Sequence, residues 1–404
     1  MAILVPNDRI RAYARRLLAR PRVARGELAI AFRESSASSA DVHVGGTSFF
    51  PLLLADISRA SSSIHINQFG FRPGRVGDAF ADVLAAKARE GVAVRLVVDR
   101  NGSDPERGSR ELFERLAAAG VEACVARATQ IRAPAGPLGA ASRNRWNLGG
   151  IGHVDHRKAV VVDGRIGWVG GAGIEDHFED GRFHDLFVRV EGPVVAQLQL
   201  VFLASFRWLG GAVPADELDA LFPPLEPGGV EADVLHNAPG RYRPITTAIA
   251  ALLDGAEKTL DVVNPYVTDR AMIGRIERAA RRGVRVRLFV PADANNWACG
   301  AAQRHHHARL LAAGVRILEH PAMLHAKAFV RDGEEVLAGT CNLEAWSLRR
   351  FFEIDLRVRS SALAAQFDER FAAPAVEASA PGRPATGVRE RLRSAAFAAV
   401  APLL

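Results

Sequence analysis

Two short stretches of the chain carry the same residue types at the same spacing: His156-x-Lys158-x4-Asp163 in HRKAVVVDG and His325-x-Lys327-x4-Asp332 in HAKAFVRDG. A neutral imidazole is a competent nucleophile toward phosphorus, and a covalent intermediate splits one difficult displacement into two easier ones. A second imidazole can protonate the leaving alkoxide and then deprotonate the incoming hydroxyl. Fixed ammonium groups offset charge on the non-bridging oxygens. One copy supplies half of that set and two copies supply all of it. A single chance match is expected in roughly one of a hundred chains of this composition. Two matches at equivalent places of a repeat point to one phosphoryl-transfer site.

Further residues recur around the motifs. Asp185 lies downstream of His156, and Glu353 lies at a matching distance downstream of His325. A carboxylate bonded to the far ring nitrogen of each histidine would fix its tautomer and stabilise the imidazolium. Asn342 and Thr340, in GTCNLE, offer an amide and a hydroxyl to a phosphoryl oxygen. Asp163 and Asp332 belong to the motif, yet each precedes a glycine, and Asp-Gly is also turn chemistry. His153, in GHVDH, stands near enough in sequence to line the site. The run His305–His306–His307 falls in a helical stretch, where three successive residues cannot share one face; a solvated or groove-facing helix is expected there, not a metal site.

The elements that must position these groups form an internal repeat. KAREGVAVRLVVD (87–99) matches AARRGVRVRLFVP (279–291), and RLAAAGVEA (115–123) matches RLLAAGVRI (309–317). The two motifs follow, and DLFVRV (185–190) matches EIDLRV (353–358). Each unit reads as helix, glycine stop, strand, so each half is an α/β domain. The apolar run after each lysine is strand-like, which turns His156 and Lys158 to one side and Arg157 to the other. The halves differ by an extra segment at 126–150, a long Gly-, Pro- and Arg-rich loop in which Arg143, Arg145 and Trp146 could flank a substrate groove. The expected organisation is a basic helical segment at 1–41, a first domain at 42–212, a linker at 213–230, a second domain at 231–373, and a linker with a basic amphipathic helix at 374–404.

Composition narrows the partners. The chain has 404 residues, 49% hydrophobic and 24% charged, which suits a globular protein of two domains. Its net charge of +7 suits an anionic partner. Only four of the basic residues are lysines, and two of them sit in the motifs. Cys124, Cys299 and Cys341 make neither a disulfide framework nor a zinc spacing. No apolar run reaches 18 residues and no signal-peptide stretch opens the chain, so a cytoplasmic protein meeting the membrane only at its surface is expected. The N-terminal and C-terminal basic helices are candidates for that contact.

These motifs, with the HRKAVVVDGRIGWVGG, HDLFVRVEGPVVAQLQLVF and LHAKAFVRDGEEVLAGTCNLEAWSLRRFFEIDL stretches, resemble the phospholipase D superfamily over residues 42–370, and within it bacterial cardiolipin synthases. The resemblance implies two tandem phospholipase D-like domains, a duplicated mixed sheet flanked by helices, related by a pseudo-twofold with the active site at their interface. It implies that His156 is the nucleophile and His325 the acid/base, with Lys158, Lys327 and Asn342 on the phosphate. It implies a phosphatidyl group passing between phosphatidylglycerol molecules at the cytoplasmic face of the cell membrane, and neither metal nor other cofactor. One position departs from the family pattern G-[GS]-x-N: the first half reads GGAG, with Gly173 in place of the amide. A phospholipase D hydrolase and a nucleic-acid phosphodiesterase are the rival readings. Nucleic acid is disfavoured as a partner, because only 7% of residues are aromatic and stacking platforms are expected of such proteins.

Overall fold

Strand Lys158–Val162 is apolar on both faces, and its alternation sends each face to a different core. Ala159 and Val161 join a cluster that both sheets share, while Val160 and Val162 join a cluster beneath the helices of the first half. A strand of this kind must be covered on both sides, and layers of helix, sheet, sheet and helix achieve that. The computed structural model describes residues 2–20, 23–126, 153–240 and 242–403. Of the loop expected at 126–150 only Ala126 falls within them, so Arg143, Arg145 and Trp146 lie outside the described residues.

The first sheet runs, from edge to edge, Ser39–Val44, Leu186–Glu191, Ile166–Gly170, Lys158–Val162, Ser63–Gln68, Ala93–Asp99 and Glu122–Ala126. The second repeats this order with Val230–Asn237, Glu353–Arg359, Glu335–Gly339, Ala328–Arg331, Thr259–Val263, Arg285–Pro291 and Arg316–His320. In both, the last three strands are mutually parallel and the rest antiparallel. Two short strands extend the second sheet: Ser35–Ala37 beside Val230–Asn237, and Ala380–Pro381 beside Arg316–His320. Ser39–Val44, which follows Ser35–Ala37 directly, belongs to the first sheet.

Helices Gly46–Ser58 and Arg75–Arg89 cover the outer face of the first sheet, and Pro244–Gly255 and Arg270–Arg281 cover that of the second. Gly91 and Gly283 end equivalent helices with φ of +91° and +95°, a conformation that costs glycine little. Helix Val194–Trp208 is buried nearly all round, as its largely apolar sequence requires, and its buried Gln197 is bonded to the Arg33 carbonyl and the Val234 N–H. The N-terminal helix Ile10–Leu18 turns Ile10, Ala14, Leu17 and Leu18 into the same cluster as Leu200, Leu203 and Phe206, so its apolar stripe is spent on the protein body.

The C-terminal helix Gly387–Val400 lies along helix Trp297–Ala312. Its contact face is small: Ser394 and Ala398 are buried, and Ala398 and Ala401 pack on Ala302. Where the sequence predicts a solvated or groove-facing helix, His305 is exposed but His306 and His307 are buried, and His307 Nδ1 lies 3.0 Å from the Arg383 carbonyl. Among the described residues no helix is long and apolar enough to cross a membrane.

Candidate active site

His156 and His325 stand just before equivalent strands, and each is held by a carboxylate from the other half. His156 Nδ1 lies 3.1 Å from both carboxylate oxygens of Glu353. His325 Nδ1 lies 2.8 Å from Asp185 Oδ2. Both carboxylates are fully buried, as are Lys158 and Lys327. The backbone secures the crossing too, since His156 N–H donates to the Phe352 carbonyl and His325 N–H to the His184 carbonyl, at 2.9 and 2.8 Å.

Lysine placement follows from the i, i+2 spacing. Lys158 Nζ donates to the His156 carbonyl at 2.7 Å, and Lys327 Nζ donates to the His325 carbonyl and lies 2.9 Å from Nδ1 of that ring. Arg157 points elsewhere and forms a buried ion pair with Asp155. Aromatic rings wall each imidazole: Phe69 and Phe351 around His156, Phe178 and Phe183 around His325.

Burial sets the protonation states. It holds His156 well below the ordinary imidazole range, helped by Lys158 and Lys327, and brings His325 to about 3. It also lowers Lys158 to about 8 and Lys327 to about 7, against the pull of neighbouring carboxylates. The two carboxylates differ. Burial raises Glu353 to about 7, whereas in Asp185 burial is outweighed by the His325 hydrogen bond and the Lys327 charge, which leave it below the usual value. Each histidine feels both lysines, which places the two motifs in one electrostatic environment.

The supporting residues divide. The backbone N–H of Asn342 donates to Ser347 Oγ at 3.1 Å, and its buried side-chain oxygen has no partner among the described residues. The Thr340 hydroxyl is bonded to the Ile354 backbone on both sides. Ser347, which the sequence did not single out, donates its hydroxyl to Glu353. His153 meets Arg25 at 2.9 Å.

Asp163 and Asp332 are not brought to the histidines. Seven residues of extended chain separate Asp163 from His156, about 20 Å. Both adopt positive φ, +53° and +55°. The Asp163 carboxylate accepts from the N–H groups of Ser61, Ser62 and Ser63 at 2.8–2.9 Å, and Asp332 does the same with Glu257, Lys258 and Thr259. They tie each hairpin to the start of the neighbouring strand.

The family model for cardiolipin synthase, PLD-like domain, matches residues 53–203 and 249–374. The chain belongs to this family. It is 31% identical to a cardiolipin synthase of Geobacillus kaustophilus (strain HTA426) over 331 residues, which is 80% of the chain and 63% of that protein. It is 27% identical to the major cardiolipin synthase of Bacillus subtilis (strain 168) over 79% of the chain and 65% of that protein. The chain thus spans a little under two thirds of these relatives. A phosphatidylserine synthase from Haemophilus influenzae Rd KW20 shares the fold, with a TM-score of 0.68 and 12% identity over 98% of this chain and 100% of that one. Polyphosphate kinase from Porphyromonas gingivalis is more distant, with a TM-score of 0.54 and 13% identity over 82% of this chain and 46% of that one. Membership of the cardiolipin synthase family accounts for the duplicated mixed sheets and the paired motifs.

Proposed function

We propose that this chain is a phosphatidyltransferase of the cardiolipin synthase type, working through a phosphohistidine, with one active site where its two halves meet around a pseudo-twofold. The observation that carries the reading is the crossed pairing of His156 with Glu353 and of His325 with Asp185, beside two buried lysines. Lys158, Lys327 and the Asn342 amide receive the phosphoryl oxygens of phosphatidylglycerol. His156 attacks phosphorus through Nε2, the P–O bond to glycerol breaks, and His325 gives that oxygen its proton. The hydroxyl of a second phosphatidylglycerol then surrenders its proton to His325 and attacks phosphorus, and the P–N bond breaks. The unequal carboxylates favour these roles. Burial leaves His325 neutral in the free protein; ionised Asp185 and the charge of the incoming phosphodiester raise its proton affinity, so His325 takes up from solvent, as substrate binds, the proton it then gives to the leaving oxygen. Glu353, nearer neutrality, leaves His156 an uncharged nucleophile. The thermally or acid-labile adduct belongs on His156.

The test is incubation with vesicles of labelled phosphatidylglycerol and chromatography of the products. Cardiolipin and glycerol are expected. Phosphatidic acid alone would make water the acceptor and the protein a hydrolase; no turnover of any phosphodiester would overturn the reading.

Attachment to the cytoplasmic face of the membrane as a peripheral protein is part of the same proposal. The C-terminal helix docks by its small residues and leaves Val388, Leu392, Val400 and Leu403 exposed, beside Trp297, which is 64% exposed and packs edge-on to Phe397. Arg389, Arg391 and Arg393 are exposed on the same helix. Apolar residues flanked by arginines suit an anionic lipid surface. Trp297 opens the helix that follows strand Arg285–Pro291, at the carboxyl end of the parallel strands, the end that also carries His325. Three free, unpaired cysteines fit a reducing compartment.

A further inference from the structure

The two halves treat one equivalent glutamate differently. In GTCNLE, Glu344 caps helix Ala345–Arg349, accepting from the N–H groups of Trp346 and Ser347 at 2.6 and 2.7 Å. In GGAGIE the matching residue is Glu175, and it caps nothing: the following turn, Asp176–Phe178, has no side-chain cap. Its carboxyl accepts no hydrogen bond among the described residues. It folds back over two glycines instead. A Cβ at Gly173 would lie 2.8 Å from Glu175 Oε1, and a Cβ at Gly70 only 1.9 Å from it. The carboxyl therefore occupies the space that a side chain at position 173 would enter, which is where the first half lacks the amide that Asn342 supplies in the second.

We infer that Glu175 takes over that duty, contacting the substrate phosphodiester in its acid form and donating a hydrogen bond to a non-bridging phosphoryl oxygen. This rests on the phosphodiester chemistry proposed above. Its surroundings suit an acid that is sometimes charged. Arg72 Nε stands 3.9 Å from Oε2, His177 Nδ1 3.6 Å from it, and Lys158 acts on it from the strand below. None of these contacts is a hydrogen bond, so none locks the carboxylate in its ionised form. Burial already raises its proton affinity over the lowering pull of Arg72 and Lys158, and a phosphodiester anion alongside would raise it further. An ionised carboxylate in that place would repel the substrate; a protonated one resembles the missing amide as a donor. Gly70 and Gly173 are the residues whose lack of a side chain makes the room.

The experiment compares wild type, Glu175→Gln and Glu175→Ala on phosphatidylglycerol vesicles and on a soluble phosphodiester, bis(p-nitrophenyl) phosphate, from pH 5 to 9. Glu175→Gln keeps a donor that cannot ionise. It should match wild type in kcat/KM at low pH and exceed it at high pH, with a flatter profile. Glu175→Ala should lose about a hundredfold to a thousandfold in kcat/KM at low pH, the scale of one lost donor at a developing phosphoryl charge. The inference is overturned if Glu175→Ala keeps the wild-type profile, or if Glu175→Gln falls as far as Glu175→Ala, which would mean that the ionised carboxylate is the working form. Wild type inert toward both substrates would defeat the phosphodiesterase reading itself; activity on either one isolates the role of Glu175.

Discussion

Glu353 of the second half grips His156 of the first, 3.1 Å from its Nδ1, while Asp185 of the first half grips His325 of the second. Each histidine takes its carboxylate from the other half. Replacing Glu353 by Gln or Asp185 by Asn keeps the shape but offers either face of an amide to the imidazole, so the tautomer is no longer fixed. We expect kcat to fall by about 10²–10⁴-fold with little change in KM. Steady-state kinetics of each variant, with circular dichroism to check folding, measures this; a near wild-type kcat in both would remove the carboxylates from the mechanism.

The pH profile should be controlled by lysines. The proposed phosphate contacts need Lys327 and Lys158 charged, and burial brings them to about 7 and about 8. Both lose their charge as pH rises, so kcat/KM should decline through pH 7 to 8. His156, the proposed nucleophile, is held well below 6.5 and stays neutral in mild acid, so no loss centred near 6.5 should appear on the acid side. A profile rising through pH 6.5 would indicate an imidazole of ordinary basicity in control.

Asp163 should matter for stability and not for chemistry. Asp163→Asn weakens charge-assisted bonds to three backbone N–H groups and should cost about 1–3 kcal/mol in urea unfolding, with kcat within about twofold of wild type. Its carboxyl is depressed: burial raises it, but the bonds from Ser63, Ser61 and Ser62 together outweigh that. A depressed carboxylate contributes stability above its ordinary range and loses it as pH falls through the folded value. The stability gap between variant and wild type should therefore close in acid.

Much of this was legible from the chain itself. Glycine-stopped helices and alternating strands announced the duplication, and the i, i+2 spacing announced which way Lys158 and Lys327 face. The crossing was not legible, because spacing along a strand says nothing about which half lies opposite. Thr340 looked like a phosphate ligand, yet the strand it ends draws its hydroxyl to Ile354. Glu175 gave no signal until the repeat could be overlaid in space, where Gly173 and Gly70 reveal the pocket that its carboxyl fills. His306 and His307 looked solvated because the residues that cover them come some eighty positions later.

Vesicle binding should depend on the outward residues of the C-terminal helix pair. Truncating at 388 would also strip the cover from His306 and Ala302, so point changes are the sharper probe. Trp297→Ser combined with Leu392→Ser should cut sedimentation with phosphatidylglycerol vesicles severalfold while thermal unfolding shifts little. Binding by wild type should weaken near 0.5 M salt, where the screening length falls to about 4 Å. Undiminished sedimentation of the double variant would move the contact elsewhere on the surface.

Ser38 joins strand Ser35–Ala37, which lies in the second sheet, to strand Ser39–Val44, which lies in the first. A ribosome that has just released Ser35–Ala37 must still make the whole first half before Val230–Asn237 arrives to receive it. At about 5–20 residues per second that interval is on the order of ten seconds or more. Through it an early strand waits with its backbone unpaired, open to any other edge that passes. Glu353 arrives later still, so the half that is born first is the last to have its histidine secured.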